Sequence, residues 1–203
     1  MGRRIRRPHP SKQVKTHYAV FTEGQVTERQ YLELLRQHLR PQHATITIHP
    51  IGGEPSKVLK EYQKARQRED FDRAILIIDV DQHDKLDETL QECKSRTDLD
   101  AVVSSPCFEL WLLWHAIDRR GHVETHECVR MTRSHNLTKD KALTTKFPMK
   151  NIDEAMTRAR IAWPTLTPNE IGPNPSSAMP WFIDLLLTPP KEISPSPTYS
   201  SLI

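Results

Sequence analysis

The sequence predicts an α/β fold, a parallel sheet flanked by helices with a helical C-terminal half, and three observations carry the prediction. Residues 74–82, AILIIDVDQ, run five apolar positions without a polar break into Asp79 and Asp81, the pattern of a strand buried on both faces. Between residues 16 and 105, strand-like alternation and helical spacing take turns, as right-handed βαβ crossovers require. After Ser105-Pro106 the segments are helical in pattern.

His17 to Thr22 alternates as a first strand and ends at Glu23-Gly24. Thr27 and Gln30 have the spacing of a capping box, and Tyr31, Leu32, Leu34, Leu35 and Leu39 give the following helix one apolar face. Ala44 to His49 is a second strand. Gly52-Gly53 follow it, and Pro55-Ser56 open a helix with Val58, Leu59, Tyr62 and Ala65 inward and a charged face running through Glu69. Residues 74–82 supply the third strand. Leu86, Leu90 and Cys93 mark a helix over 86–96 with Asp84 as its candidate cap, and Ala101 to Ser104 a short fourth strand.

Cys107 to Ile117, CFELWLLWHAI, is apolar almost all round and predicts a buried helix opened by Pro106. Glu109 falls in its first turn, where a buried carboxylate demands a partner. Residues 118–150 are polar and weakly periodic and predict no long element. Residues 152–163 form a helix with Ile152, Ala155, Met156, Ala159 and Trp163 inward, and Asn174-Pro175-Ser176-Ser177 reads as the cap of a last helix through Met179, Phe182, Ile183, Leu186 and Leu187. The expected organisation is one domain over 16–187, with an α/β core at 16–105 and a helical extension at 106–187. A basic arm over 1–15 and a Pro/Ser-biased tail over 188–203 flank it, both expected to be disordered.

At 203 residues the chain suits one domain with a full core. A hydrophobic content of 36% and a mean hydropathy of −0.62 are low but globular. The net charge of +3 conceals an asymmetry. Residues 1–15 carry six basic residues and no acid; taking those six from 29 leaves 23 against 26 acids, so residues 16–203 are net −3. The arm, with Arg3, Arg4, Arg6 and Arg7, has the charge to follow a nucleic-acid backbone, and a solubilising leader explains it equally well. It has no apolar stretch of a secretory signal, and no run reaches the roughly 18 residues of a membrane span. Three cysteines without a CxxC spacing argue against a disulfide framework and fit a reducing cytoplasm.

Ligands of open α/β sheets collect outside the carboxyl ends of the strands, and an Asp-x-Asp there suits a hard cation with oxygen ligands. Asp also ends strands because it caps turns, so the pair alone is ambiguous. Strand alternation puts Asp79 and Asp81 on one side and Val80 on the other. Lys139 and Lys141 are candidate phosphate contacts, with a solvated surface as the ordinary alternative. His122, His126, Cys128 and His135 are zinc-ligand types, but His-x3-His arises readily by chance and no CxxC accompanies it.

Taken together, Glu23-Gly24 with Thr27-Glu28 and Tyr31, then Asp79-x-Asp81, then SSPCFELWLLWH over 104–115, and NPSS from Asn174 resemble the RloB family. The third phrase is the most specific. Ser105 stands where that family usually has Asn before the Pro, and Phe21-Thr22 where Cys is often seen before the Glu. The resemblance covers about residues 17–187 and implies a Toprim-like (Rossmannoid) nuclease fold, a place in bacterial anti-phage defence and an ATPase partner, RloA. It also implies that Glu23, Asp79 and Asp81 hold Mg²⁺ or Mn²⁺ and are catalytic.

Physical chemistry makes the same set sensible, since adjacent parallel strands bring their C-terminal ends together. Glu28, in the first helix, is a further candidate ligand or base, and Glu109 a weaker one. The leading expectation is a metal-dependent nuclease acting on DNA or RNA in abortive infection. A non-catalytic sensor or partner-binding subunit on the same scaffold, with homo-oligomers open to either, is the rival. No P-loop is present, so nucleotide hydrolysis falls to a partner. Topoisomerase and haloacid-dehalogenase readings are disfavoured, the first by size, the second because its Asp pair belongs after the first strand.

Overall fold

The computed structural model describes residues 15–80 and 85–189. Its elements are β1 (Thr16–Thr22), α1 (Thr27–Leu39), β2 (Ala44–Pro50), α2 (Pro55–Arg66), β3 (Arg73–Asp79), α3 (Leu86–Ser95), β4 (Leu99–Ser105), α4 (Phe108–Leu113), α5 (Thr125–Ser134), β5 (Thr138–Lys139), β6 (Ala142–Leu143), α6 (Ile152–Ala162), β7 (Ser176–Ser177) and α7 (Met179–Leu187). The architecture is α/β: a five-stranded, mostly parallel sheet flanked by helices, consistent with the expected Rossmann-like, Toprim-type fold. The strand order is β2-β1-β3-β4-β7, with β7 alone antiparallel.

Connection handedness decides which helix covers which face. The crossover from β1 to β2 runs one way across the sheet, and those from β2 to β3 and β3 to β4 run the other. Right-handed connections therefore put α1 opposite α2 and α3. Strand alternation feeds both layers. Tyr18, Val20, Ile75, Ile77 and Val102 pack with Tyr31, Leu32, Leu35, Trp111 and Phe182 on the α1, α4, α6 and α7 side. Ala19, Phe21, Leu76, Ile78 and Val103 meet Val58, Tyr62, Leu86 and Leu90 on the other. Burial on both faces explains the unbroken apolar run of β3, each large side chain contributing about 1.5–3 kcal/mol relative to exposure.

Four local expectations change. Thr27 and Gln30 do not cap α1, which starts after Val26 without a side-chain cap; both are used in tertiary contacts described below. Pro106 does not open the buried helix: Cys107 precedes α4, and the helix proper is Phe108–Leu113, with turns continuing to Ile117. Residues 118–150 hold α5 and the hairpin β5-β6. Only Cys128 and Thr132 of α5 are buried, too few to show helical periodicity, while the Glu124 amide donates to Glu127 Oε2 at 3.2 Å as half of a capping box without Ser or Thr. Finally, Ser176–Ser177 form β7 against β4. Asn174 caps no helix; it donates to the Val123 carbonyl at 2.9 Å and accepts from the Val123 amide at 3.1 Å.

Asp84, most of the basic arm and most of the Pro/Ser tail lie outside the described residues. Among the described residues no helix is long and apolar enough to cross a membrane.

Candidate functional site

β1 and β3 are neighbours, and the chain leaves them in opposite directions across the sheet. Their carboxyl ends form the topological switch point, where α/β sheets open a crevice. Glu23 follows β1 and Asp79 ends β3. The Asp79 amide donates to Glu23 Oε2 at 3.1 Å, and the Glu23 amide to the Ile77 carbonyl at 3.1 Å. By alternation Asp79 shares the face of Ile75 and Ile77. This is the face covered by α1 and α4, whose first turns carry Glu28 and Glu109.

The result is a cleft of about 470 Å³ lined by Glu23, Glu28, Asp79 and Glu109, with Gly24, Gly52, Gly53 and Lys141 among the remaining walls. Gly24 is required by close approach: a Cβ there would land on the Glu28 carboxyl. Gly52 and Gly53, at φ +75° and +113°, adopt backbone that favours glycine. They let the loop after β2 fold over the loop after β1, where the Gly53 amide donates to the Glu23 carbonyl at 3.2 Å.

Lys141 comes from a distant part of the chain. Thr27 Oγ1 donates to the Lys141 carbonyl at 2.6 Å, and the Leu143 amide donates to Gln30 Oε1 at 2.7 Å. The two residues spaced like a capping box thus dock the β5-β6 hairpin on α1. Asp140, at φ 55°, makes its turn. Lys139 is exposed on the same hairpin and does not line the cleft.

Crowding shows in the acids' titration. Burial pushes the Glu28 carboxyl up to about 7, with the charges of Glu109 and Glu23 adding to it, against hydrogen bonds from its own amide and that of Gly24. Asp79 is raised well above the usual carboxylate range, first by desolvation, then by Glu28, Glu109 and Glu23. Asp79 keeps partial surface as a residue, while its carboxyl faces the other acids of the cleft.

All four acids offer hard oxygen donors, and their mutual repulsion is the charge environment that a divalent cation relieves. The residues therefore fit Mg²⁺ or Mn²⁺ in type and charge. Among the described residues, however, no three His, Cys, Asp or Glu side chains form a ready-made cage. The expectation for Asp81 lies outside the described residues, as do those for Arg3, Arg4, Arg6 and Arg7. Of the zinc-type residues, His122 is exposed and within 2.8 Å of Glu124 Oε1, whereas Cys128 is buried against Cys107.

Nothing in the local pattern sets Lys141 apart from Lys139, because the hairpin that selects it has two residues per strand. Glycine positions 24, 52 and 53 were equally silent about the approaches they permit.

Comparison with curated proteins and with solved structures finds no match. The family model for RloB-like protein matches residues 18–186, a span that takes in β1 from Tyr18 on, every cleft residue and α7 through Leu186. On that match over most of its length, the chain belongs to the RloB-like protein family.

Proposed function

We propose that the acidic cleft is the active site of a Mg²⁺- or Mn²⁺-dependent phosphodiester hydrolase acting on DNA or RNA in anti-phage defence, under the control of an ATPase partner such as RloA. The observation that carries this reading is the meeting of Glu23, Glu28, Asp79 and Glu109 with Lys141 at the switch point of the sheet. A bound divalent ion supplies phosphate polarisation and an activated water. Glu23 and Asp79, with Asp81, would hold it. Glu28, on the first turn of α1 and lining the same cleft, would exchange a proton with the water or leaving oxygen. Lys141 offsets charge that builds on the scissile phosphate. Three cysteines that are all free and buried fit a reducing cytoplasm.

The rival reading is a non-catalytic subunit on the same scaffold, whose acids act in partner binding. Cleavage assays separate the two. Purified chain is incubated with DNA, tRNA and other RNA, with Mg²⁺, Mn²⁺ or EDTA, with and without the neighbouring ATPase. Metal-dependent cutting that falls at least about 100-fold in both Glu23→Gln and Asp79→Asn, the loss of several kcal/mol of charge stabilisation, is the expected result. Cutting that persists in both variants refutes the site. Absence of cutting under every condition, with the partner bound, favours the rival.

A further inference from the structure

Three arginines on α1 take no part in the chemistry above. Arg29 and Arg36 are seven residues apart, a spacing that returns to one line on a helix, and Arg40 is the left-handed C-cap that follows the last turn. All three are exposed, and among the described residues none pairs with a carboxylate. The helix dipole accounts for cations in the last turn, where Arg36 lies. It does not account for Arg29, which stands in the first turn, where a cation is unfavourable, one residue from Glu28 of the cleft.

At the far end, Arg36 and Arg40 share a groove of about 340 Å³ with Lys15, Gln42 and the start of β2. Lys15 Nζ donates to the Pro41 carbonyl at 3.3 Å, which fixes it beside the two arginines. In sequence, Lys15 is the last residue of the segment that carries +6. The cationic line therefore starts on the first turn of α1, the turn whose Glu28 lines the acidic cleft, and ends where the basic arm joins the domain. From Arg29 to Arg40 it covers about 16 Å at 1.5 Å per residue, or about five phosphates of a strand at 3.4 Å each.

We propose that this face of α1 is a phosphate track, along which Arg29, Arg36, Arg40 and Lys15 hold the backbone of the polynucleotide whose scissile phosphate enters the cleft. The proposal rests on the nuclease reading and deepens it: the substrate is a strand reaching about five phosphates past the cut, and a mononucleotide or small phosphoester is not. Recognition along the track is sequence-blind and salt-dependent. Glu33, four residues after Arg29 and three before Arg36, is an acid beside the line and opposes binding.

The test is fluorescence anisotropy on the full chain with labelled duplexes of about 20 base pairs, one arm DNA and one RNA, in EDTA and at 50 to 200 mM salt. Four track contacts contribute about −3.6 to the log K against log salt slope on DNA, in addition to any share of the basic arm, and Arg36→Gln with Arg40→Gln lowers its magnitude by about 1.8. The same double variant loses about tenfold or more in affinity at unchanged melting temperature, Arg36→Lys with Arg40→Lys binds like wild type, and Glu33→Gln binds more tightly, a gain that misfolding does not imitate. Loss in one arm only identifies the nucleic acid. Wild-type affinity and slope in the Gln double variant, in both arms, overturn the track, as does an absence of wild-type binding at 50 mM salt. Because no cleavage is read, the two readings fail separately: binding as expected without cutting counts against the cleft, and cutting with a track-independent slope counts against the track.

Discussion

Glu28 is 7% exposed and sits against the Gly24 backbone with Glu23 and Glu109 as charged neighbours. Its carboxyl titrates at about 7 in the folded metal-free chain against about 4.5 when unfolded. Below pH 4.5 it is neutral in both states and costs nothing. As pH rises through 7 it must ionise in the cleft, and stability falls by at most about 3 kcal/mol. His115 has the opposite sign. Burial depresses it to about 4, so the unfolded chain takes up a proton first and stability falls as pH drops from about 6.5 toward 4. The two slopes oppose each other in wild type and separate only by substitution. Glu28→Gln is expected to raise the metal-free melting temperature at pH 8 and leave it nearly unchanged at pH 4.5. Denaturation at both pH values checks this, and an equal effect at the two would show that Glu28 is not buried against like charge.

The β5-β6 hairpin is the element on which the cleft's cation depends. It has two residues per strand, too short to be stable alone, and it is held by Thr27 and Gln30 of α1. Thr27→Val removes the donor to the Lys141 carbonyl and leaves that carbonyl to water, at about 1 kcal/mol. The fold should tolerate this, while Lys141 loses its fixed position. A Thr27→Val variant with near wild-type melting and cleavage reduced in the manner of Lys141→Ala is the expected outcome. Wild-type cleavage in it would detach the hairpin from the site.

Over the whole molecule, the sheet sets the site by holding β1 and β3 side by side, so the two helical layers and the cleft share one foundation. Ile77 lies at the centre of β3, 1% exposed, two residues before Asp79 and on the same face. Ile77→Ala is expected to destabilise by about 2–5 kcal/mol, read as a shift of the urea midpoint at constant m. Because Ile77 also accepts the Glu23 amide through its carbonyl, any cleavage that survives should show that the backbone contact, not the side chain, aligns the acid.

Much of this was legible in sequence where one local signal was strong. The unbroken apolar run of β3, the alternation of β1 and β2 and the spacing of Leu86, Leu90 and Cys93 each follow from burial acting on a single segment. The α/β class and the acids at the strand ends came with them. Local pattern failed where a residue's use was decided by a partner far along the chain. Thr27 and Gln30 have cap spacing but bond to residues 141 and 143; the surroundings of Glu109, three acids and Lys141 lining one cleft, come from four other elements and loops; α5 buries too little to show a period. Sequence by itself determined the segments and the chemical types at their ends, because hydrophobic burial and backbone geometry act over a few residues. Only the tertiary structure decided that β1 lies beside β3, that Asp79 faces α1 and α4, and that Lys141 rather than Lys139 lines the acidic cleft. Those outcomes depend on strand order, face parity and docking, which no short stretch of sequence encodes.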